Sequence, residues 1–268
     1  MDAKVDFIVQ STRVFTSAPG ERAARPRACA VAGDRIVRMG APDEIQAACP
    51  AFTPVLDFGD AFICPGFHDA HLHFFHTALG SSPYLLMHRG ESEAELVATT
   101  RAFAAGLPPH AWVVTQGWRD YRWNPPVPPT KRSLDEAFPD RPCVMYSGDG
   151  HTLWMNSRAL DELGVTRDSV PAQGGSYDKD ASGELTGIVR EAAAMELLPR
   201  CLEWLTPHDV AAAYEAQLAR MAEQGITSMC DMALMPHEGC DFIRDDIYED
   251  LEAHGNLTVR AHLFPHAA

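Results

Sequence analysis

The sequence predicts an α/β fold preceded by a small β-rich segment, and three observations carry that expectation. Short β-branched runs fill the first sixty residues, compact apolar runs recur after Pro65, and a helical segment lies before or after each of those later runs. Strands covered on both faces by helices read as near-continuous apolar stretches, as these do.

Taken in order, "DFIVQSTRVFT" and "ACAVAGDRIVRMG" are strand-like, the second with a Gly-Asp turn between Val31 and Ile36, and "PVLDFGDAFICPG" continues the pattern. Residues 1–60 are therefore expected to form a β-rich segment and residues 61–268 a separate α/β region. In that region "AWVVTQGW" (Ala111 to Trp118), "PCVMYSG" (Pro142 to Gly148), "GITSMCDMA" (Gly225 to Ala233) and "LTVRAHLF" (Leu257 to Phe264) are the expected buried strands. The helices rest on caps as well as periodicity. "SEAELVATTRAFAAG" stops at Gly106, and "NSRALDELG" has Asn156 or Ser157 as its cap and Gly164 as its stop. "TPHDVAAAYEAQLARMAEQG" offers Thr206 as N-cap, Pro207 at the first helical position, Asp209 in the first turn and Gly225 past the end. Its Val210, Tyr214, Leu218 and Met221 fall on one helical face. The polar, Gly-rich stretch between Val165 and Gly187 reads as an excursion over the surface.

Composition narrows the function classes. The 268-residue chain carries 22 Lys plus Arg against 37 Asp plus Glu, a formal net charge of -15, with no basic block. Nucleic acid and anionic membrane surfaces are excluded as expected partners on that ground. No signal-like apolar region opens the chain and no stretch approaches the roughly 18 apolar residues of a membrane span, so a soluble, cytoplasmic protein is expected. Seven cysteines, an odd number without any CxxC pair, point to reduced thiols rather than a disulfide framework.

The stretch that carries chemistry is "CPGFHDAHLHF", Cys64 to Phe74. Residues i and i+2 of a strand project to the same side, so His71 and His73 would point together, and two neutral imidazoles can chelate one divalent cation. Asp69, two residues back, shares that side. HxH pairs also arise by chance. Here the pair follows an apolar run leading into the α/β region, and catalytic groups of barrels sit at the carboxyl ends of strands.

"PGFHDAHLHF" resembles the signature that ends the first barrel strand in the metal-dependent amidohydrolase superfamily. "GHTLWMNSRAL" (Gly150 to Leu160), "GELTGIVREAA" (Gly183 to Ala193) and "QGITSMCDMAL" (Gln224 to Leu234) resemble the subgroup holding YtcJ-like hydrolases and N-substituted formamide deformylases. The resemblance implies a small β-sandwich built from both chain ends beside a TIM-like barrel. It also implies a metal-activated water that attacks an amide or N-formyl carbonyl, cleaving a carbon-nitrogen bond other than a peptide bond. His71 and His73 match the family's first two metal ligands, with zinc the expected metal and a small amide-type molecule the expected substrate. A deaminase or cyclic amidohydrolase would use the same half-site. The family's later histidines and its late general-base aspartate have no counterpart before Ala268, so the chain is expected to hold a partial barrel of about five strands. Such a barrel would have an incomplete metal shell, unpaired edges that favour a homo-oligomer, and little or no turnover as a non-catalytic fragment.

Of the other positions, Glu191, Asp231 and Trp118 carry two readings each. Glu191 supplies the intermediate carboxylate ligand or is a solvated first-turn glutamate. Asp69 and Asp231 support the ligands from behind, Asp231 otherwise serving as a cap or as a ligand itself. His151 lines the substrate pocket from the turn after a strand. Trp118, with Trp123, forms an apolar wall for substrate or packs in the core. Asn156 is a helix cap, and His208 and His254 are given no role.

Overall fold

A computed structural model of the chain describes residues 4–233 and 242–265, which divide into two compact units, one ending at Phe67 and the other beginning at His68.

The first unit is organised around β1 (Phe7–Val14). β1 pairs antiparallel with β2 (Arg25–Ala32), and β2 with β3 (Arg35–Gly40) across a turn at Gly33. A short helix α1 (Pro42–Ala48) follows, and then β4 (Val55–Asp57) and β5 (Phe62–Ile63) both run parallel to β1. Ile45 of α1 packs with Ile8, Ala28 and Ala30 to form this unit's core. The described residues of this unit form a single five-stranded sheet with one helix against it. The unit also extends past residue 60, because Phe62 and Ile63 pair with Arg13 and Val14 of β1.

The second unit opens with β6 (Phe67–Leu72), α2 (Phe74–Leu79), β7 (Leu86–Met87), α3 (Glu93–Ala104) and β8 (Val113–Trp118). It continues through α4 (Lys131–Ala137), β9 (Cys143–Ser147), β10 (Thr152–Met155), α5 (Ser157–Leu163), β11 (Ser176–Lys179) and β12 (Leu185–Arg190). The remaining elements are α6 (Ala192–Leu197), α7 (Pro207–Glu223), β13 (Ile226–Met232), α8 (Asp245–Ala253) and β14 (Arg260–Phe264). The helix ends follow the sequence chemistry. Ser92 accepts the Glu95 N–H at the start of α3, Asn156 accepts the Ala159 N–H at the start of α5, and Gly164 closes α5 in the left-handed conformation. Thr206 and Asp209 form a reciprocal capping box on α7, which buries Val210, Ala213, Tyr214, Leu218 and Met221.

The described strands do not close into a barrel. They form a six-stranded sheet in the order β11-β12-β10-β9-β8-β7 and a three-stranded sheet in the order β14-β13-β6. Within this unit β7-β8-β9 and β13-β14 run parallel, as the strands of a barrel do. β10 is joined to β9 by a short turn, too short for a crossover, and so must run antiparallel to it. β12 and β11 then add as further antiparallel strands. The segment read as a surface excursion therefore holds β11 and the start of β12, and Leu185, Ile188 and Val189 of β12 are buried.

Gly117 shows how tightly β8 is met. Its φ is +126°, and a Cβ there would lie 2.2 Å from the His88 carbonyl oxygen, so only glycine fits. Three tryptophans lie nearby. Trp118, Trp123 and Trp154 pack with ring centroids 6.1 to 6.4 Å apart. Each donates its indole N–H to a backbone carbonyl, Trp118 to Met145 at 2.9 Å. Trp118 is 4% exposed. It is a core residue and not a substrate wall, because its ring and its polar edge are both already engaged.

Candidate metal and substrate cleft

His71 is the last residue but one of β6 and His73 is the residue before α2, so the pair sits where a strand gives way to a helix. Their ring centroids are 5.3 Å apart and nearly perpendicular, at 87°. His73 Nδ1 lies 2.8 Å from the Met232 carbonyl oxygen. A carbonyl only accepts, so Nδ1 carries the proton and Nε2 keeps its lone pair for a ligand. Asp69 accepts the His71 backbone N–H at 3.2 Å and so shapes the strand end.

The next strand supports the pair from behind. Asp231 is 1% exposed and accepts the Phe74 N–H at 2.8 Å through Oδ1 and the Tyr248 hydroxyl at 2.9 Å through Oδ2. Its first bond fixes the start of α2 directly after His73. Burial first, and then the Asp231 charge, raise the Tyr248 phenol far above its ordinary value, so it stays a neutral donor.

His71 and His73 line an open cleft of about 530 Å3 with His76, Gln116, Tyr146 and Asp149. His76, one turn into α2, has both ring nitrogens buried without a hydrogen-bond partner among the described residues, and burial, then His73, lowers its pKa to about 4. It is therefore a neutral imidazole. The turn after β9 is held by Asp149, whose Oδ1 accepts the Ser147 hydroxyl at 2.5 Å and the His151 N–H at 3.1 Å. Burial alone would raise the Asp149 carboxyl, but the Ser147 and His151 bonds outweigh it and hold it below its ordinary range. Tyr146 donates to the Gly150 carbonyl at 2.6 Å, and burial pushes its phenol up to about 12.

His151 and Glu191 meet each other rather than the histidine pair: His151 Nδ1 lies 2.9 Å from Glu191 Oε2, and both side chains are more than half exposed. Glu191 holds this place at the start of α6 with φ 51° and ψ -130°, a conformation that normally belongs to glycine. Among the described residues no group of three or more His, Cys, Asp or Glu side chains is placed to hold a metal ion. His71 and His73 are brought together, and Glu191 is not brought to them.

His76, Tyr146 and Asp149 were missed in the sequence. Tyr146 and Asp149 sit at and just beyond the carboxyl end of β9, the place where α/β folds put functional groups, and that position was the available signal. His76 lies three residues after His73, a helical spacing that is legible only once α2 is known to begin at Phe74.

Residues 55–268 match the Amidohydrolase family Amidohydro_3. The chain is 29% identical over 224 residues to the "Putative amidohydrolase YtcJ" of Bacillus subtilis (strain 168), covering 80% of this chain and 40% of that one. It is 30% identical over 174 residues to the N-substituted formamide deformylase of Arthrobacter pascens, covering 63% of this chain and 31% of the relative. The structure resembles an uncharacterized metal-dependent hydrolase from Pyrococcus horikoshii OT3 with a TM-score of 0.68 at 18% identity, over 96% of this chain and 48% of that one. A second, from Pyrococcus furiosus, gives 0.63 at 23% identity, over 96% of this chain and 49% of that one. The chain spans less than half the length of each of these relatives. On the family match across most of its length, the chain belongs to the Amidohydrolase family.

Proposed function

We propose that this chain is part of a metal-dependent hydrolase of carbon-nitrogen bonds, with an amide or N-formyl compound as substrate and a TIM-like barrel as its full architecture. The observation that carries the proposal is the His71-His73 pair, 5.3 Å apart, with His73 oriented by the Met232 carbonyl. Family membership supplies the reaction class. His71 and His73 would hold the cation, zinc by the chemistry of paired imidazoles. When bound, the metal supplies Lewis acidity at the scissile carbonyl and at water.

The chain's own groups do the rest. Met232 fixes the His73 tautomer, and Asp231 fixes the backbone after it. Among the described residues Asp149 uses only Oδ1 to hold its turn, so Oδ2 can accept an N–H of an amide substrate in the same cleft. His76 brings neutral hydrogen-bonding capacity beside it. With two histidines and no third ligand among the described residues, the 268-residue chain alone is proposed to bind metal weakly and to turn over slowly, if at all.

Two measurements test this. Elemental analysis of the purified chain, with and without His71→Ala and His73→Ala, should show metal lost in the double variant; equal content removes the metal assignment. A screen of N-substituted formamides, acylated amines and cyclic ureides against a chain spanning the whole family region should give metal-dependent release of amine or acid. Activity confined to phosphate or glycoside substrates would sink the reaction class.

A further inference from the structure

Away from the cleft, the three-stranded sheet gathers a second set of reactive side chains. Ser228 and Cys230 are two residues apart on β13 and so share one side of the strand. His68 of β6 reaches both: Nδ1 lies 2.8 Å from Ser228 Oγ, and the Cys230 thiol lies 3.5 Å from Nε2. The two contacts are compatible with one tautomer. A thiol donating to Nε2 needs the lone pair there, so Nδ1 carries the hydrogen and donates to the Ser228 hydroxyl. His262, which sits opposite Cys230 in the β13-β14 register, turns its ring edge to His68 with centroids 6.1 Å apart. His68 is exposed and Cys230 half-buried, so a small molecule can approach the sulfur.

The other described cysteines differ. Burial raises the Cys143 thiol strongly, pushes Cys201 up to about 12, and raises Cys29. Cys49 and Cys64 are half-buried like Cys230, yet among the described residues neither is hydrogen-bonded to a histidine.

We propose that Cys230 is a nucleophilic thiol assisted by His68 and oriented through Ser228, a modification site that takes small-molecule disulfides. The thiol proton moves to His68 Nε2, Sγ forms a new bond to one sulfur of the disulfide, and the original S–S bond breaks. The departing sulfur leaves as a thiolate and the proton passes from His68 to solvent, so the exchange needs no outside oxidant or reductant. Such exchange requires a thiolate and an open line of approach, and no further catalytic group. This proposal does not depend on the metal site or on the hydrolase assignment.

The test uses the 268-residue chain and an aromatic disulfide, 5,5'-dithiobis(2-nitrobenzoic acid), with the released thiolate followed by absorbance and the labelled cysteine identified by peptide mass mapping. Cys230 should be labelled ahead of Cys49 and Cys64. His68→Phe, which keeps a ring without its nitrogens, should slow labelling at Cys230 about tenfold and leave Cys49 and Cys64 unchanged. Ser228→Ala, a milder change that leaves the imidazole in place, should slow it by a smaller factor, and the preference should vanish in denaturant. Labelling of Cys49 or Cys64 before Cys230, unchanged Cys230 rates in both variants, or a preference that survives denaturation would each overturn the proposal.

Discussion

Replacing Asp231 tests whether the strand behind the histidine pair holds it in place. In Asp231→Ala the Phe74 N–H and the Tyr248 hydroxyl both lose their carboxylate partner inside a buried cluster. Hydrogen bonds to a charged group contribute about 1.5 to 3 kcal/mol each, so the two together give a loss of about 3 to 6 kcal/mol. Asp231→Asn should cost far less, about 1 kcal/mol, because Oδ1 can still accept the Phe74 N–H and the Tyr248 hydroxyl can turn to accept from the new amide. Urea unfolding followed by circular dichroism gives both values, and a zinc titration against a competing dye reads the consequence at His71 and His73. Metal affinity should fall in the Ala variant and stay near the parent's in the Asn variant. An Ala variant within about 0.5 kcal/mol of the parent, or an Asn variant as damaged as Ala, would refute the reasoning.

Three further outcomes follow from the same physics. Asn156 is fully buried and makes four bonds, accepting the Cys143 and Ala159 N–H groups and donating to the Phe138 and Arg141 carbonyls. Asn156→Ala should therefore cost about 3 to 5 kcal/mol in urea unfolding, more than the loss of an exposed cap. Gly117→Ala should lower the melting temperature measurably, since its Cβ would sit 2.2 Å from the His88 carbonyl oxygen; an unchanged melt would mean that β8 can shift. The Glu21 carboxyl is held at about 2, below its ordinary 4.5, first by the Thr16 hydroxyl and then by Arg27. Because the folded-state value is the lower one, this stabilisation is complete above pH 4.5 and is lost as the pH falls through about 2, and Glu21→Gln should flatten an acid-unfolding curve over that window.

Local chemistry made much of this legible. α3, α5 and α7 announce themselves by side chains that satisfy orphan amides at their starts, and β8, β9, β13 and β14 by apolar runs. β10 and β12 were recognised only as family motifs, and β11 was not seen as a strand, because its polar residues carry no period-two signal. What decides their pairing is the short turn after β9, a tertiary fact. The HxH pair was visible as spacing, whereas its support was not. The Met232 carbonyl is a backbone group, and no residue identity encodes it. Trp118 and Glu191 show the converse. Both have the right chemistry for a site, but packing places one in the core and the other beside His151.

The backbone of Glu191 sets two aims of protein engineering against each other. A glutamate at φ 51° carries about 1 to 3 kcal/mol of strain that a glycine would not. Any selection for thermal tolerance alone should therefore drift toward glycine at this position, gaining stability while removing the carboxylate that holds His151. A screen that scored melting temperature together with the His151–Glu191 contact would see the two move in opposite directions here, and the slope of that trade would measure what the carboxylate is worth.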